Sequence, residues 1–123
     1  MENKVNFKTP LAISHKLDIA ALSVNKAYRG RRFRTKEYDI WESKVKAMLP
    51  PMAAHVFDRQ LAFNIEFGFS SKASDIDNGL KSFLDVLSKV YRFNDKYVFE
   101  LNVKKKIVPK GKEYILFTMK VIG

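Results

Sequence analysis

The chain has 123 residues, of which 46% are hydrophobic, and this composition excludes a disordered basic tail and fits a single domain with its own core. The chain contains no cysteine, which excludes disulfides and thiolate metal sites and suits a reducing cytoplasm. Its 23 Lys and Arg exceed its 13 Asp and Glu, and the resulting net charge of +10 favours nucleic acid as a partner over an anionic membrane surface, with plain solubility as the remaining explanation.

The first third of the sequence predicts little regular structure. Residues 1–10 are expected to form a loose N-terminal leader, and Leu11 to Leu22 predicts an edge strand because it alternates imperfectly. Ser23 to Arg34 is dense in arginine and poor in apolar residues, which predicts a loop. No apolar run approaches the length of a membrane span, so we expect a cytoplasmic protein that does not bind membranes.

A helix is predicted from Lys36 to Met48. Thr35 can serve as its N-cap, and acidic residues in the first turn suit the positive end of the helix dipole. The apolar face consists of Tyr38, Trp41, Val45 and Met48, and two prolines end the helix.

The rest of the chain predicts a strand, a helix and two further strands. Gln60 to Phe69 alternates between apolar and polar residues, as a strand with one buried face does. Asn78 to Val90 has an apolar stripe at helical spacing, formed by Leu80, Phe83, Leu84, Leu87 and Val90. Strands are predicted at 97–108 and 113–122, joined as a hairpin. The order strand, helix, strand, helix, strand, strand predicts a single α+β domain over residues 1–123, with one mixed sheet and two helices packed on a face.

Two aspartates stand close together where the second helix should begin. If this stretch is extended, Asp75 and Asp77 project to the same side, and their repulsion is relieved when a hard divalent cation such as Mg²⁺ lies between them. The alternative is that Asp77 only caps the helix and Asp75 is a turn residue.

Lys81 and Asp95 extend this acidic pair. Lys81 lies four residues after Asp77, so on a helix it stands on the same side and could balance the carboxylates or hold a phosphate. The alternative is an ordinary ion pair, and Asp85 is assigned to that role. Asp95 follows Asn94 at a predicted turn and can reach Asp75 only if the chain folds back after the helix.

Together these residues resemble a known family. The run from Asp75 to Lys81 (DIDNGLK), the DVL that begins at Asp85 and the Asn94–Asp95 pair are similar to the signature of the RusA family of Holliday junction resolvases. The upstream runs SVNKAYR (23–29) and TKEY (35–38) resemble the N-terminal pattern of that family. The resemblance extends from about Ile13 to the C-terminus.

The resemblance implies an activity and roles for four residues. Asp75, Asp77 and Asp95 would bind a divalent metal, Mg²⁺ with Mn²⁺ as a substitute, and Lys81 would be needed for catalysis. The activity would be hydrolysis of paired phosphodiester bonds in four-way DNA junctions, during recombination and repair, by a homodimer in a bacterial or phage-infected cell. Metal ions held by carboxylates can act as Lewis acid, nucleophile generator and template in such a reaction.

Two basic clusters are candidates for DNA binding. The first precedes and begins the first helix and consists of Arg29, Arg31, Arg32, Arg34 and Lys36; the second consists of Lys104, Lys105 and Lys106 and continues to Lys110 and Lys112. Arginine binds phosphate through paired hydrogen bonds. The alternatives are a solvated loop for the first cluster and, for the second, lysines that protect a strand edge from pairing.

Two other functions are compatible with the sequence. A non-catalytic nucleic-acid-binding domain would account for the charge but would leave the three aspartates as unrelated turn residues. A nuclease that cuts flaps or plain duplex would use the same aspartates on a different substrate.

Overall fold

The computed structural model describes residues 12–23, 28–29, 33–51, 56–77 and 79–123. Residues 1–11, which include the predicted leader, lie outside the described part. The elements in chain order are β1 (Ala12–Leu17), β2 (Tyr28–Arg29), β3 (Phe33–Arg34), α1 (Lys36–Met48), β4 (Leu61–Phe69), α2 (Leu80–Tyr91), a 3-10 turn (Asp95–Tyr97), β5 (Val98–Ile107) and β6 (Tyr114–Val121).

Four strands form a mixed sheet in the order β1-β6-β4-β5, which confirms the predicted α+β fold with two helices. β4 pairs in parallel with β5 and antiparallel with β6, and β6 pairs antiparallel with β1. β1 therefore lies at an edge, as its weak alternation predicts. β4 is buried along nearly its whole length, including Ala62 and Gly68 on the side predicted to be polar, because it is a central strand with a neighbour on each side.

The predicted hairpin between the last two strands is wrong. β4 lies between β5 and β6, and residues 108–113 cross over the end of β4, where the Val108 N–H donates to the Phe69 carbonyl at 2.8 Å. β4 needs a partner on both edges, and the largely exposed β5 is suited to the outside of the sheet. Gly111, with φ of 92°, takes the left-handed conformation that this crossing requires.

The loop prediction for Ser23 to Arg34 holds at Ser23 but is wrong at residues 28–29 and 33–34. Tyr28–Arg29 pairs antiparallel with Phe33–Arg34 as a short two-stranded ribbon. The sequence did not indicate this pairing, because two-residue strands are too short to show alternation and the many arginines are typical of a loop.

Helix α1 has the predicted bounds and cap. The Thr35 hydroxyl accepts a hydrogen bond from the Tyr38 backbone N–H at 3.1 Å, and Tyr38, Trp41 and Val45 are buried, whereas Met48 is exposed. The Trp41 indole N–H donates to the Ala20 carbonyl at 2.8 Å. This bond fastens the segment after β1 to the first helix.

Helix α2 packs on the sheet through Phe83. The Phe83 ring lies 5.5 Å from that of Phe117 on β6 and 6.4 Å from that of Phe67 on β4, in edge-to-face contacts that add to the gain from burial. Phe83 and Leu87 of the predicted stripe are buried, and Val86 is buried in addition. The opposite side of α2 is left for polar residues that face solvent.

Candidate active site

The turn that carries Asp75 and Asp77, which we call the acidic turn, connects β4 to α2. The Ser71 carbonyl accepts from the Ser74 N–H at 3.2 Å, and the Ser71 hydroxyl accepts from the Ala73 N–H at the same distance. Asp77 lies in a turn rather than an extended run, so the alternation argument does not apply there. Asp75 and Asp77 are both exposed.

The carboxylate of Asp77 does not cap the helix. Helix α2 begins at Leu80, its N-cap is Gly79, and no side chain forms a capping hydrogen bond. Asp77 contributes its backbone carbonyl, which accepts from the Leu80 N–H at 3.1 Å. The simple capping explanation for this aspartate is therefore wrong, and its carboxylate remains exposed at the start of α2.

A groove runs along the exposed side of α2, with a volume of about 440 Å³. It is lined by Asp77, Leu80, Lys81, Leu84, Asp85 and Asp95. Lys81 and Asp85 are four residues apart on one side of the helix, and Asp77 lies in the turn before it. Asp95 joins them because the chain turns back after Tyr91. The groove thus brings together Asp77, Lys81 and Asp95 of the predicted site, whereas Asp75 does not line it.

The carboxylates are spread along this groove. Asp77 precedes α2 and Asp95 follows it, so the two residues approach the groove from opposite ends of the helix in the chain. Within the described ranges of the chain, no three Asp, Glu or His side chains lie close enough together to hold one metal ion. The donor chemistry nevertheless fits a hard cation, because Mg²⁺ prefers oxygen ligands and is often held by one or two carboxylates together with substrate phosphates.

Lys81 pairs with Asp85. The Lys81 ammonium lies 3.5 Å from an Asp85 carboxylate oxygen, and the Lys81 side chain is 60% exposed. This i,i+4 pair leaves an exposed cation on the groove.

A network of polar residues fixes the orientation of α2 against α1. The Lys89 ammonium donates to the Glu42 carboxylate at 2.5 Å and to the Tyr38 hydroxyl at 3.4 Å. Burial raises the pKa of Tyr38, and the Glu42 charge acts in the same direction. For Lys89, burial lowers the pKa, but the hydrogen bond to Glu42 and the contacts with Tyr38 outweigh it and leave the pKa raised. The network therefore joins the two helices while the groove side of α2 stays open.

The second basic cluster divides into two roles. Lys104 and Lys106 are exposed on β5, whose outer edge pairs with no other described strand. The Lys105 ammonium instead donates to two backbone carbonyls of the acidic turn, Lys72 at 3.3 Å and Ser74 at 2.7 Å. Nothing in the sequence near Lys105 indicates this contact, which spans 31 residues.

The first basic cluster is described in part. Lys36 is exposed at the first position of α1, and the backbones of Arg29 and Arg34 lie in the two-stranded ribbon. Arg31 and Arg32 lie outside the described residues.

None of the helices in the described part of the chain is long and apolar enough to span a membrane.

Comparison with known families assigns the domain to a class. Residues 20–115 match the family model described as endodeoxyribonuclease RusA, so the domain is of the class of nucleases that cut DNA internally. The match covers more than three quarters of the chain and includes every residue of the groove, and the chain belongs to the RusA family, whose substrates are branched DNA junctions. No curated protein sequence matches the chain.

Proposed function

We propose that the protein is a Mg²⁺-dependent resolvase that cuts four-way DNA junctions by paired phosphodiester hydrolysis in recombination and repair. Beyond family membership, one observation carries the proposal: a single groove is lined by Asp77, Lys81 and Asp95, which are separated along the chain. The site of action would be the cytoplasm of a bacterial or phage-infected cell.

The acidic turn would hold the metal. Asp75 and Asp77 would supply carboxylate oxygens, and Asp95, which lines the same groove as Asp77, would complete the set together with oxygens of the DNA phosphate. These residues would hold a divalent ion that supplies Lewis-acid chemistry to the scissile phosphate and makes an attacking water easier to deprotonate. Mn²⁺ would substitute, because it takes the same oxygen ligands.

Lys81 would act on the scissile phosphate. Its ammonium can donate to a non-bridging phosphate oxygen, where negative charge grows during hydrolysis. Asp85, at 3.5 Å, limits where that ammonium can point, so Asp85 would position Lys81 without contacting DNA. Asp77 and Lys81 line the same groove, so a phosphate bound to a metal ion at Asp77 would lie near the Lys81 ammonium.

The exposed cations would bind the arms of the junction. Lys104 and Lys106 on β5 and Lys36 on α1 would contact phosphates, together with Arg29, Arg31, Arg32 and Arg34. Each neutralised phosphate releases a counterion, so the logarithm of the affinity should fall linearly with the logarithm of the salt concentration. Recognition would depend on backbone and branch shape more than on base sequence.

A homodimer would make the two cuts. A four-way junction is roughly two-fold symmetric, and a C2 dimer presents two equivalent grooves to its two halves. Sedimentation should therefore give about twice the chain mass of 14.3 kDa, and a cruciform plasmid should be linearised without accumulating as a nicked circle.

Cleavage of a labelled synthetic junction tests the proposal. We expect nicking with Mg²⁺ or Mn²⁺, none with EDTA, and loss of cutting but not of binding in Asp77→Asn. Asp39→Asn, which removes an exposed carboxylate from α1, is the matched control and should cut normally.

Two outcomes would contradict the proposal. Junction binding without metal-dependent cutting in the wild type would leave a non-catalytic binding domain. Equal cutting of junction and of linear duplex or flap competitors would leave a nuclease of different substrate.

A further inference from the structure

We propose that a second cleft, lined by Phe57, Arg92, Lys96 and Tyr97, binds an unstacked nucleotide at the branch of the DNA. The inference rests on the proposed function, because it assumes that branched DNA occupies the neighbouring groove. We call this surface the aromatic cleft.

The aromatic cleft has the size and lining of a ligand pocket. Its volume is about 400 Å³, within the roughly 300–1,000 Å³ typical of small-molecule sites. Its lining residues are Phe57, Asp58, Arg92, Phe93, Asn94, Lys96 and Tyr97. Phe93 is buried and packs against Phe63 on β4, with ring centroids 5.5 Å apart, so one wall is fixed to the core.

Phe57 is exposed in a way that folding does not explain. Its side chain is 64% exposed, the highest value among the large hydrophobic residues described, while its neighbour Val56 is buried. An aromatic face in solvent loses the gain from burial, but it provides a platform on which a base can stack. Tyr97, which is half-buried and lines the same cleft, offers a second aromatic ring.

Arg92 takes a backbone conformation that favours glycine. It ends α2 with φ of 59° and ψ of 57°, and it is the only described non-glycine residue with positive φ. Glycine is the usual residue in this position after a helix. Because arginine in this conformation costs free energy, we infer that the Arg92 side chain has a functional role. Arg92 lines the aromatic cleft.

The charges of the aromatic cleft suit a nucleotide. Arg92 and Lys96 can bind the flanking phosphates, and Arg can also stack on a base. The Lys96 ammonium lies 5.4 Å from the centroid of the Tyr97 ring, so cation and platform are adjacent. Asp58 is the one acid in the lining and can accept a hydrogen bond from an exocyclic amine of the base.

The position of the cleft connects it to the proposed active site. Asn94 and Lys96 line the aromatic cleft and Asp95, between them, lines the groove of Asp77 and Lys81. A DNA strand with one phosphate in the groove would place a near neighbour at the aromatic cleft. In intact duplex both faces of a base are stacked, so this occupant must come from a branch or other opening.

The first experiment measures coupling between Phe57 and a branch base. A labelled four-way junction and the same junction with abasic sites at the branch are titrated with wild type and Phe57→Ala, with Ca²⁺ replacing Mg²⁺ to prevent cutting. We expect Phe57→Ala to weaken binding of the intact junction by about 5- to 100-fold, the range for loss of one base–aromatic stack. It should not weaken binding of the abasic junction or of linear duplex.

Ile40→Ala is the matched control, because Ile40 is a large hydrophobic residue that is 57% exposed on α1. It should bind every DNA as the wild type does. An equal loss of affinity by Phe57→Ala on intact and abasic junctions would overturn the proposal, as would no loss on either.

A second variant separates binding from folding. Arg92→Gly relieves the left-handed strain, so its Tm should equal or exceed that of the wild type while junction affinity falls. Lys44→Ala, which removes an exposed charge from α1, controls for net charge. An Arg92→Gly protein that binds the junction no worse than Lys44→Ala would overturn the role of Arg92.

These outcomes are distinct from failure of the proposed function. If the wild type does not bind junctions, the proposed function fails. If it binds and cuts junctions but Phe57→Ala affects intact and abasic junctions equally, only the proposal for the aromatic cleft is contradicted.

Discussion

The ammonium of Lys105 donates a hydrogen bond to the carbonyl of Ser74 at 2.7 Å, and so a side chain of β5 holds the residue that immediately precedes Asp75. A second bond, to the Lys72 carbonyl, spans the same turn. Lys104 and Lys106 donate no such bond to the described residues, although all three lysines lie on β5 and carry the same charge. Lys105 thus positions the acidic turn, a role distinct from the DNA contact expected of the cluster.

Loss of Lys105 should therefore weaken metal binding more than DNA binding. In Lys105→Met the turn loses both bonds, and we expect roughly a 10-fold rise in the Mn²⁺ concentration for half-saturation, as for other groups that orient metal ligands. Electron paramagnetic resonance of free Mn²⁺ measures this in protein without DNA. Lys105→Arg should recover most of the affinity.

Lys104→Met is the control with the same charge change. It should lower junction affinity and the salt dependence of binding while leaving the Mn²⁺ affinity unchanged. Identical behaviour of the two variants would show that the carbonyl contacts have no part in shaping the metal site.

Lys81 should matter for the rate of cutting and little for binding. Lys81→Met removes a donor expected to act on the phosphate as charge develops, and such losses reduce the rate by about 10²- to 10³-fold. Single-turnover cleavage of a saturated junction measures it. Asp85→Asn, which leaves the lysine in place, should stay within about one order of magnitude of the wild type and lose only a few tenths of a kcal/mol of stability. If Asp85→Asn were the more damaging change, Lys81 would not be the acting group.

Gly79 should tolerate no side chain while Ala21 stands opposite. A Cβ at residue 79 would clash with the Ala21 Cβ, so Gly79→Ala must displace either the start of α2 or the segment after β1. Overpacking of this kind costs about 1–3 kcal/mol. Urea unfolding of Gly79→Ala should show this loss.

Ala21→Gly should restore part of the stability lost in Gly79→Ala, because this second change removes the Cβ that the new side chain at residue 79 would contact. The double variant should be more stable than the sum of the two single changes predicts. Strict additivity would mean that the two segments do not press on each other.

Tyr91 should make stability fall in strongly alkaline solution. Its hydroxyl donates to the Pro50 carbonyl at 2.6 Å, and burial raises its pKa to about 12 from 10.0. The stabilisation is fully present below pH 10, where the phenol is protonated in both states, and is lost as the pH rises through 12. Tyr91→Phe should be less stable by about 1 kcal/mol at neutral pH, from the lost hydrogen bond.

The difference between wild type and Tyr91→Phe should then narrow between pH 10 and 12. Tyr114, whose pKa is raised to about 12 by its hydrogen bond to Glu66 and by burial, is present in both proteins. A constant difference across this range would show that the Tyr91 phenol ionises equally in both states.

Local signals made much of the fold predictable. Helix α1 has its predicted bounds because Thr35 supplies a cap and Pro50 follows the last turn. β4 begins one residue later than predicted, because alternation indicates that a strand is present but not which residue is the first to pair with a neighbouring strand. In both cases the determining contacts lie within a few residues of each other.

Pairing between distant segments could not be predicted in the same way. The neighbour of β6 is β4 rather than β5, and that choice depends on which strand is most apolar on both faces. In the site, the alignment of Lys81 with Asp85 follows from helical spacing. The arrival of Asp95 at the same groove, and the bond from Lys105 to Ser74, depend on the path of the chain between them.

The position of β6 between β1 and β4 has a consequence for synthesis. β1 and β4 emerge from the ribosome well before residues 114–121, and until then the sheet lacks the strand that joins them. Pairing of Ala12 with Lys120 closes a loop of more than a hundred residues, a contact that forms slowly. A nascent chain would thus carry its acidic turn before the sheet that supports it is complete.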